Sequence, residues 1–158
     1  MVENFRGVMS RNGDYVMRED WVRLQPANSW DWSVPVPFSQ GWRVGNMVFV
    51  GGQISADDKG RVIGEGDITL QTKNVFESIG RVLEEANASW EDVVKLNTYY
   101  VFDGEGDDIR LFWEKMTETR LKYIPNPGPA ATAVRVAGLA YPGLLIEADV
   151  IAIVKEKD

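Results

Sequence analysis

Neither histidine nor cysteine occurs anywhere in the chain, and these two absences remove most nucleophilic and transition-metal chemistry. A Ser-His-Asp triad, a cysteine nucleophile, a zinc finger and a His-ligated metal site each need one of them. An all-carboxylate Mg²⁺ or Ca²⁺ site would still be conceivable, but no Asp-x-Asp-x-Asp-Gly loop is present. Catalysis would have to come from Asp, Glu, Lys, Tyr, hydroxyls, backbone groups and bound water. No metal or organic cofactor is expected.

Four positions stand out within that short list. In Ile146-Glu147-Ala148-Asp149-Val150 the residues alternate, so an extended strand sends the apolar ones to one face and both carboxylates to the other. Read from the residues alone, this is either a solvated acidic face or, once enclosed, a carboxylate whose pKa rises into the range useful for proton transfer. Arg135 shares a strand face with Ala131 and Ala133, and two roles are open to it. It could pair with Glu147 or Asp149 on a neighbouring strand, or it could receive the anionic end of a ligand. Lys95 could form a Schiff base, although nothing near it suggests a depressed pKa and a surface lysine is the simpler reading. Gly51-Gly52 lacks the following Gly-Lys-Ser/Thr of a phosphate loop. Trp30, Trp32, Trp42 and Trp113 either line a pocket or pack a core or an interface, and packing is the commoner use of tryptophan.

The elements that must position these residues follow from periodicity. Tyr15-Val16-Met17 and Trp21 to Leu24 predict short strands, and Pro26 to Pro35 an ordered loop. Gly41 to Val44, a Gly45-Asn46 turn and Met47 to Val50 predict a hairpin. Its second strand is apolar on both faces and is therefore expected to be central and fully covered. A helix is predicted from about Asp67 to Asn87, with Val75, Phe76, Ile79, Val82, Leu83 and Ala86 on its apolar face. Val93 to Val101 follows as a strand. A second helix runs from about Asp107 to Tyr123 and is stopped by Pro125-Asn126-Pro127-Gly128-Pro129. Thr132 to Val136 and Leu145 to Val154 complete the set. The order ββαβαββ, with both helices on one face of the sheet, is an α+β fold. Residues 1–36 read as an N-terminal extension to a domain spanning 37–158.

At 17.8 kDa one domain is the default. The formal net charge of −7 disfavours a broad nucleic-acid surface, which needs clustered Lys and Arg. No apolar run long enough for a signal peptide or a bilayer span appears, so no membrane association and a cytoplasmic location are expected.

Several junctions resemble the Rid (YjgF-type) family. They are Pro37-Phe38-Ser39-Gln40-Gly41, Val44 through Gly51-Gly52-Gln53-Ile54, and Gln71-Thr72 through Val82-Leu83. Asp92-Val93-Val94-Lys95, Gly128-Pro129-Ala130 and Ile146 through Ala152 complete them. Their order and spacing, from Pro37 to Val154, carry the specificity. The resemblance implies a chorismate-mutase-like homotrimer with small-molecule sites between subunits, and hydrolysis of reactive enamines and imines. It implies that Phe38 is an aromatic wall residue, that Gly51 and Gly52 let backbone approach the ligand, and that Glu147 positions the attacking water. Members acting on amino-acid-derived imines carry Arg after the Pro-Ala pair, and this chain has Ala131 there. A methyl cannot replace a guanidinium fork gripping a carboxylate. Arg135 is displaced from that place by about 13 Å, four residues of strand, while Ala131 and Ala133 leave room for a bulkier substrate, such as an aminomuconate-like ring-cleavage product. Non-catalytic metabolite binding is the rival expectation. Ribonuclease activity, also attached to this family, is disfavoured by the acidic charge and the missing histidine.

Overall fold

The computed structural model describes residues 7–9, 15–17 and 20–155, with side chains described from Asp20 onward. Strands β1 (Gly7–Met9) and β2 (Tyr15–Met17) form a separate antiparallel pair. The remaining strands are β3 (Trp21–Leu24), β4 (Gly41–Val44), β5 (Met47–Ile54), β6 (Val93–Tyr100), β7 (Ala130–Arg135) and β8 (Ile146–Ile153). They make one six-stranded sheet in the order β3-β4-β5-β8-β6-β7. Every pairing is antiparallel except β6 with β7.

Helix α1 (Ile68–Glu85) starts where Asp67 accepts a hydrogen bond from the Leu70 backbone N–H at 3.0 Å. It ends at Asn87, which adopts φ of +54°, the left-handed turn that closes many helices. Its residues Val75, Phe76, Ile79, Val82 and Leu83 are buried against Val48, Val50, Leu96, Ile146, Ala148, Val150 and Ala152 of the sheet. Helix α2 (Asp108–Arg120) adds Met116 to the same core. Both helices therefore lie on one face, as the sequence predicts. Among the described residues, no helix is long and apolar enough to cross a membrane.

Two expectations need correction. The strand predicted to be fully covered, β5, is central but covered on one side only: Met47 is 37% and Phe49 39% exposed. The chain supplies helices to one face, so the opposite face stays open. The second correction concerns the strand beside Arg135. The β6–α2–β7 connection returns parallel to β6, which places β6 between β7 and β8. Arg135 consequently has no carboxylate-bearing neighbour strand. Strand β3, within the predicted extension, is hydrogen-bonded along the edge of the main sheet.

Candidate functional site

Glu147 sits on β8 with Ile54 of β5 on one side and Tyr99 of β6 on the other. Paired residues project to the same face of a sheet, so all three lie on the face away from the helices. Gly51 and Gly52 fall in a register shift between Val50 and Gln53, where β5 carries one extra residue opposite β8. A methyl built on Gly52 would fall on Glu147 Oε1 and lie 3.0 Å from its Cδ. The missing side chain is thus what lets the carboxylate rest on the backbone.

Two causes push the Glu147 carboxyl above its ordinary pKa: burial first, then repulsion from Asp149 two residues along the same face. Asp149 accepts a hydrogen bond from Asn97 Nδ2 at 2.9 Å. Glu147 therefore combines partial desolvation with a like-charged neighbour, and both favour the protonated form of a group able to exchange a proton.

Phe38 reaches this place from the loop before β4. Its Cε2 lies 3.8 Å from where a Gly51 side chain would begin. Arg23 of β3 fixes the approach by donating from Nε to Ser39 Oγ (2.9 Å) and from Nη2 to the Phe38 carbonyl (2.5 Å). Beneath it runs a buried amide relay. Gln53 Nε2 donates to Gln40 Oε1 (2.8 Å) and to the Gly51 carbonyl (3.1 Å), and Gln40 Nε2 donates to the Trp30 carbonyl (2.6 Å). These bonds tie the shifted Gly51 segment to the loop that carries the aromatic rings.

The structure sets Glu147 on Gly52 and Phe38 against the neighbouring Gly51, while Ala131, Ala133 and Arg135 lie elsewhere. Their register with Leu96, Thr98 and Tyr100 puts them on the helix side of the edge strand β7. Arg135 is exposed and sits 5.5 Å above the Phe102 ring. Among the described residues it forms no ion pair with Glu147 or Asp149. Lys95 donates to Thr132 Oγ1 at 2.7 Å. Trp42 packs edge-on to Trp21 at 6.1 Å, and Trp113 packs against Tyr100 at 5.4 Å.

The model of the family described as endoribonuclease L-PSP matches residues 32–154. The chain belongs to this family, the Rid or YjgF-type proteins. A RutC family protein of Pyrococcus abyssi is 43% identical over 116 residues, which cover 73% of this chain and 85% of the relative. The crystal structure of RidA from the Antarctic bacterium Psychrobacter sp. has a TM-score of 0.69 at 28% identity, covering 84% of this chain and 99% of that one. Yeast Mmf1 gives a TM-score of 0.70 at 25% identity, over 85% of this chain and 99% of that one.

Several residues of this Rid chain that shape the site were not singled out by sequence reasoning. Arg23, Gln40 and Gln53 act through contacts 2 to 16 positions apart, and no local period marks them. Tyr141 meets Trp32 at 5.7 Å and accepts a hydrogen bond from the Ser33 N–H at 3.2 Å, across 108 positions. The available signal was compositional: two tryptophans and a phenylalanine within nine residues that also hold Pro35 and Pro37.

Proposed function

We propose that the chain hydrolyses a reactive enamine or imine to a carbonyl compound and ammonia, in the cytoplasm, as a homotrimer. The carrying observation is Glu147, a half-buried carboxyl of raised pKa seated on the Gly52 backbone beside Phe38. Membership of the Rid family supports the reaction class. In the proposed trimer, a neighbouring subunit's β7 brings its own Ala131, Ala133 and Arg135 toward this carboxylate, closing a cleft that one chain leaves open.

The chemistry needs one proton carrier and water. An enamine takes a proton at carbon from protonated Glu147 and becomes an iminium; an imine enters at this stage by taking the same proton on nitrogen. Water adds to the C=N carbon while Glu147 removes its proton. Glu147 then gives that proton to the carbinolamine nitrogen, and as the C–N bond breaks and ammonia leaves, the carboxylate takes the hydroxyl proton, which forms the carbonyl and restores the protonated carboxyl. One carboxylate alternating between base and acid balances every step.

Glu147→Gln keeps the shape and hydrogen-bonding reach but cannot exchange a proton. Turnover is expected to fall about 10²–10⁴-fold, measured as accelerated loss of an imine generated in situ. A variant that keeps wild-type turnover would remove Glu147 from the mechanism. Ala131, uncharged where a carboxylate clamp is implied, favours the rival of a metabolite-binding trimer without catalysis. Wild-type protein that binds such compounds without accelerating their hydrolysis would establish that rival.

A further inference from the structure

We infer that the cleft beside Glu147 holds its ligand against an aromatic wall, so that the preferred imine bears a flat aromatic group rather than a small aliphatic one. This deepens the deaminase reading and rests on it.

Ile54 is the register partner of Glu147, and the two side chains stand next to each other on the face away from the helices. Ile54, Trp30 and Leu144 form a second buried cluster, separate from the main core, with Trp32, Phe38 and Tyr141 packed around it. Trp30 lies 4.9 Å from Phe38 and 5.2 Å from Trp32, ring centre to ring centre. Trp30 is buried and serves as the floor, whereas Trp32, Phe38 and Tyr141 are half-buried and keep ring surface open. The loop from Asp31 to Pro37 frames an open hollow of about 610 Å³ on the outer side of this wall, with Trp32 in its lining.

The wall is braced for binding. Gln40 holds the Trp30 carbonyl, and Tyr141 holds the Ser33 amide, so little ordering remains to be done when a ring docks. The indole Nε1 groups of both Trp30 and Trp32 are buried and have no hydrogen-bond acceptor among the described residues. Both N–H groups are closed off from solvent, so a ligand would meet the open ring surface of Trp32 and not its N–H.

The test compares two 2-imino acids made in situ by a flavin amino-acid oxidase, one from phenylalanine and one from alanine. Each is hydrolysed as imine plus water to 2-oxo acid plus ammonia. Both carry the same carboxylate, so the ratio of their kcat/KM values reads the side chain alone. The expected ratio favours the aromatic imine by tenfold or more. Trp32→Ala should shrink it about tenfold, and Trp32→Phe should retain most of it. Phe38→Leu, which keeps volume and loses the ring, supplies a second reading should Trp32→Ala fold poorly. Phenylpyruvate should also quench tryptophan fluorescence saturably where pyruvate does not. Equal turnover of both imines, or a ratio unmoved by these substitutions, would overturn the aromatic wall and leave the deaminase reading intact. Saturable phenylpyruvate binding without turnover of either imine would do the reverse. Neither phenylpyruvate binding nor turnover of the phenylalanine-derived imine would overturn the aromatic wall.

Discussion

At the scale of single residues, the environment of Glu147 has consequences for both activity and stability. Burial and Asp149 both favour its neutral form. If the water-activating step uses ionised Glu147, the acid limb of the pH–rate profile follows its pKa. Asp149→Asn removes the repulsion and still offers Asn97 an oxygen to donate to, so the midpoint of that limb should move to lower pH with the fold intact. An unmoved midpoint would assign the limb to another group. Stability runs in the opposite sense to that of a paired carboxylate. A folded pKa above the unfolded one means that the contribution is fully present below the unfolded value, about 4.3 for glutamate, and is lost as pH rises through the folded value. At pH 7 the buried charge is a burden, and Glu147→Gln should melt no lower than wild type, any gain fading toward pH 4. A large drop in melting temperature at pH 7 would instead mark Glu147 as an ionic part of the scaffold.

At the scale of elements, two glycines of the β4–β5 hairpin separate folding from function. Gly41 faces the core side, where a methyl would come within 2.7 Å of the Phe49 carbonyl and 2.8 Å of Val82 Cγ1. Neither the backbone oxygen nor the buried valine has room to move, so Gly41→Ala should cost about 1–3 kcal/mol, seen in denaturant unfolding. Gly52→Ala meets only the flexible end of Glu147. The fold should survive while the carboxylate is displaced, and misplacement by about 1 Å can cost 10²-fold in rate. A Gly52→Ala protein of normal stability and normal turnover would show that the carboxylate needs no such seat. Gln71 performs a purely structural version of this anchoring. Its amide donates to the Gly64 and Gly143 carbonyls and accepts from Leu145 N–H, fastening α1 to the turn that launches β8.

At the scale of the whole molecule, the face away from the helices decides how the chain lives in solution. Met47, Phe49, Val134 and Ile153 are each 37–42% exposed there, around a polar row of Asn97, Asp149 and Glu147. Apolar surface of this extent on a sheet calls for a partner, and a three-fold arrangement would cover it in a closed assembly. Light scattering is expected to give three times the 17.8 kDa chain mass; a monomer at micromolar concentration would leave the proposed inter-subunit site without its second half. Ala131 belongs to this scale too, because it lies on an exposed edge strand and can reach Glu147 only from another copy. Ala131→Arg adds a side chain at an exposed position, so the fold should tolerate it. If the Rid resemblance assigns the position correctly, the gained hydrogen bonds to a substrate carboxylate, about 1.5–3 kcal/mol each, should raise kcat/KM on alanine-derived imine by tenfold or more. No gain would place carboxylate binding elsewhere.

The sequence by itself determined the elements and the chemical menu. The α1 stripe, its Asp67 start and Asn87 stop, the Gly45-Asn46 hairpin and the alternation of β8 depend on neighbours within a few positions, so one-dimensional periods reveal them. The missing His and Cys shortened the menu to Asp, Glu, Lys, Tyr and hydroxyls, and the ordered motifs carried the family and, through that resemblance, the choice of Glu147. Only the tertiary structure decided which distant segments meet. Strand β6 separates Arg135 from Glu147, and the Trp30–Phe38 loop folds back over Ile54. Glu147 gains its raised pKa from burial that no neighbouring residue in the sequence announces. These outcomes follow from long-range strand pairing and shared burial, whose free energy depends on the whole arrangement and leaves no periodic trace in any one segment.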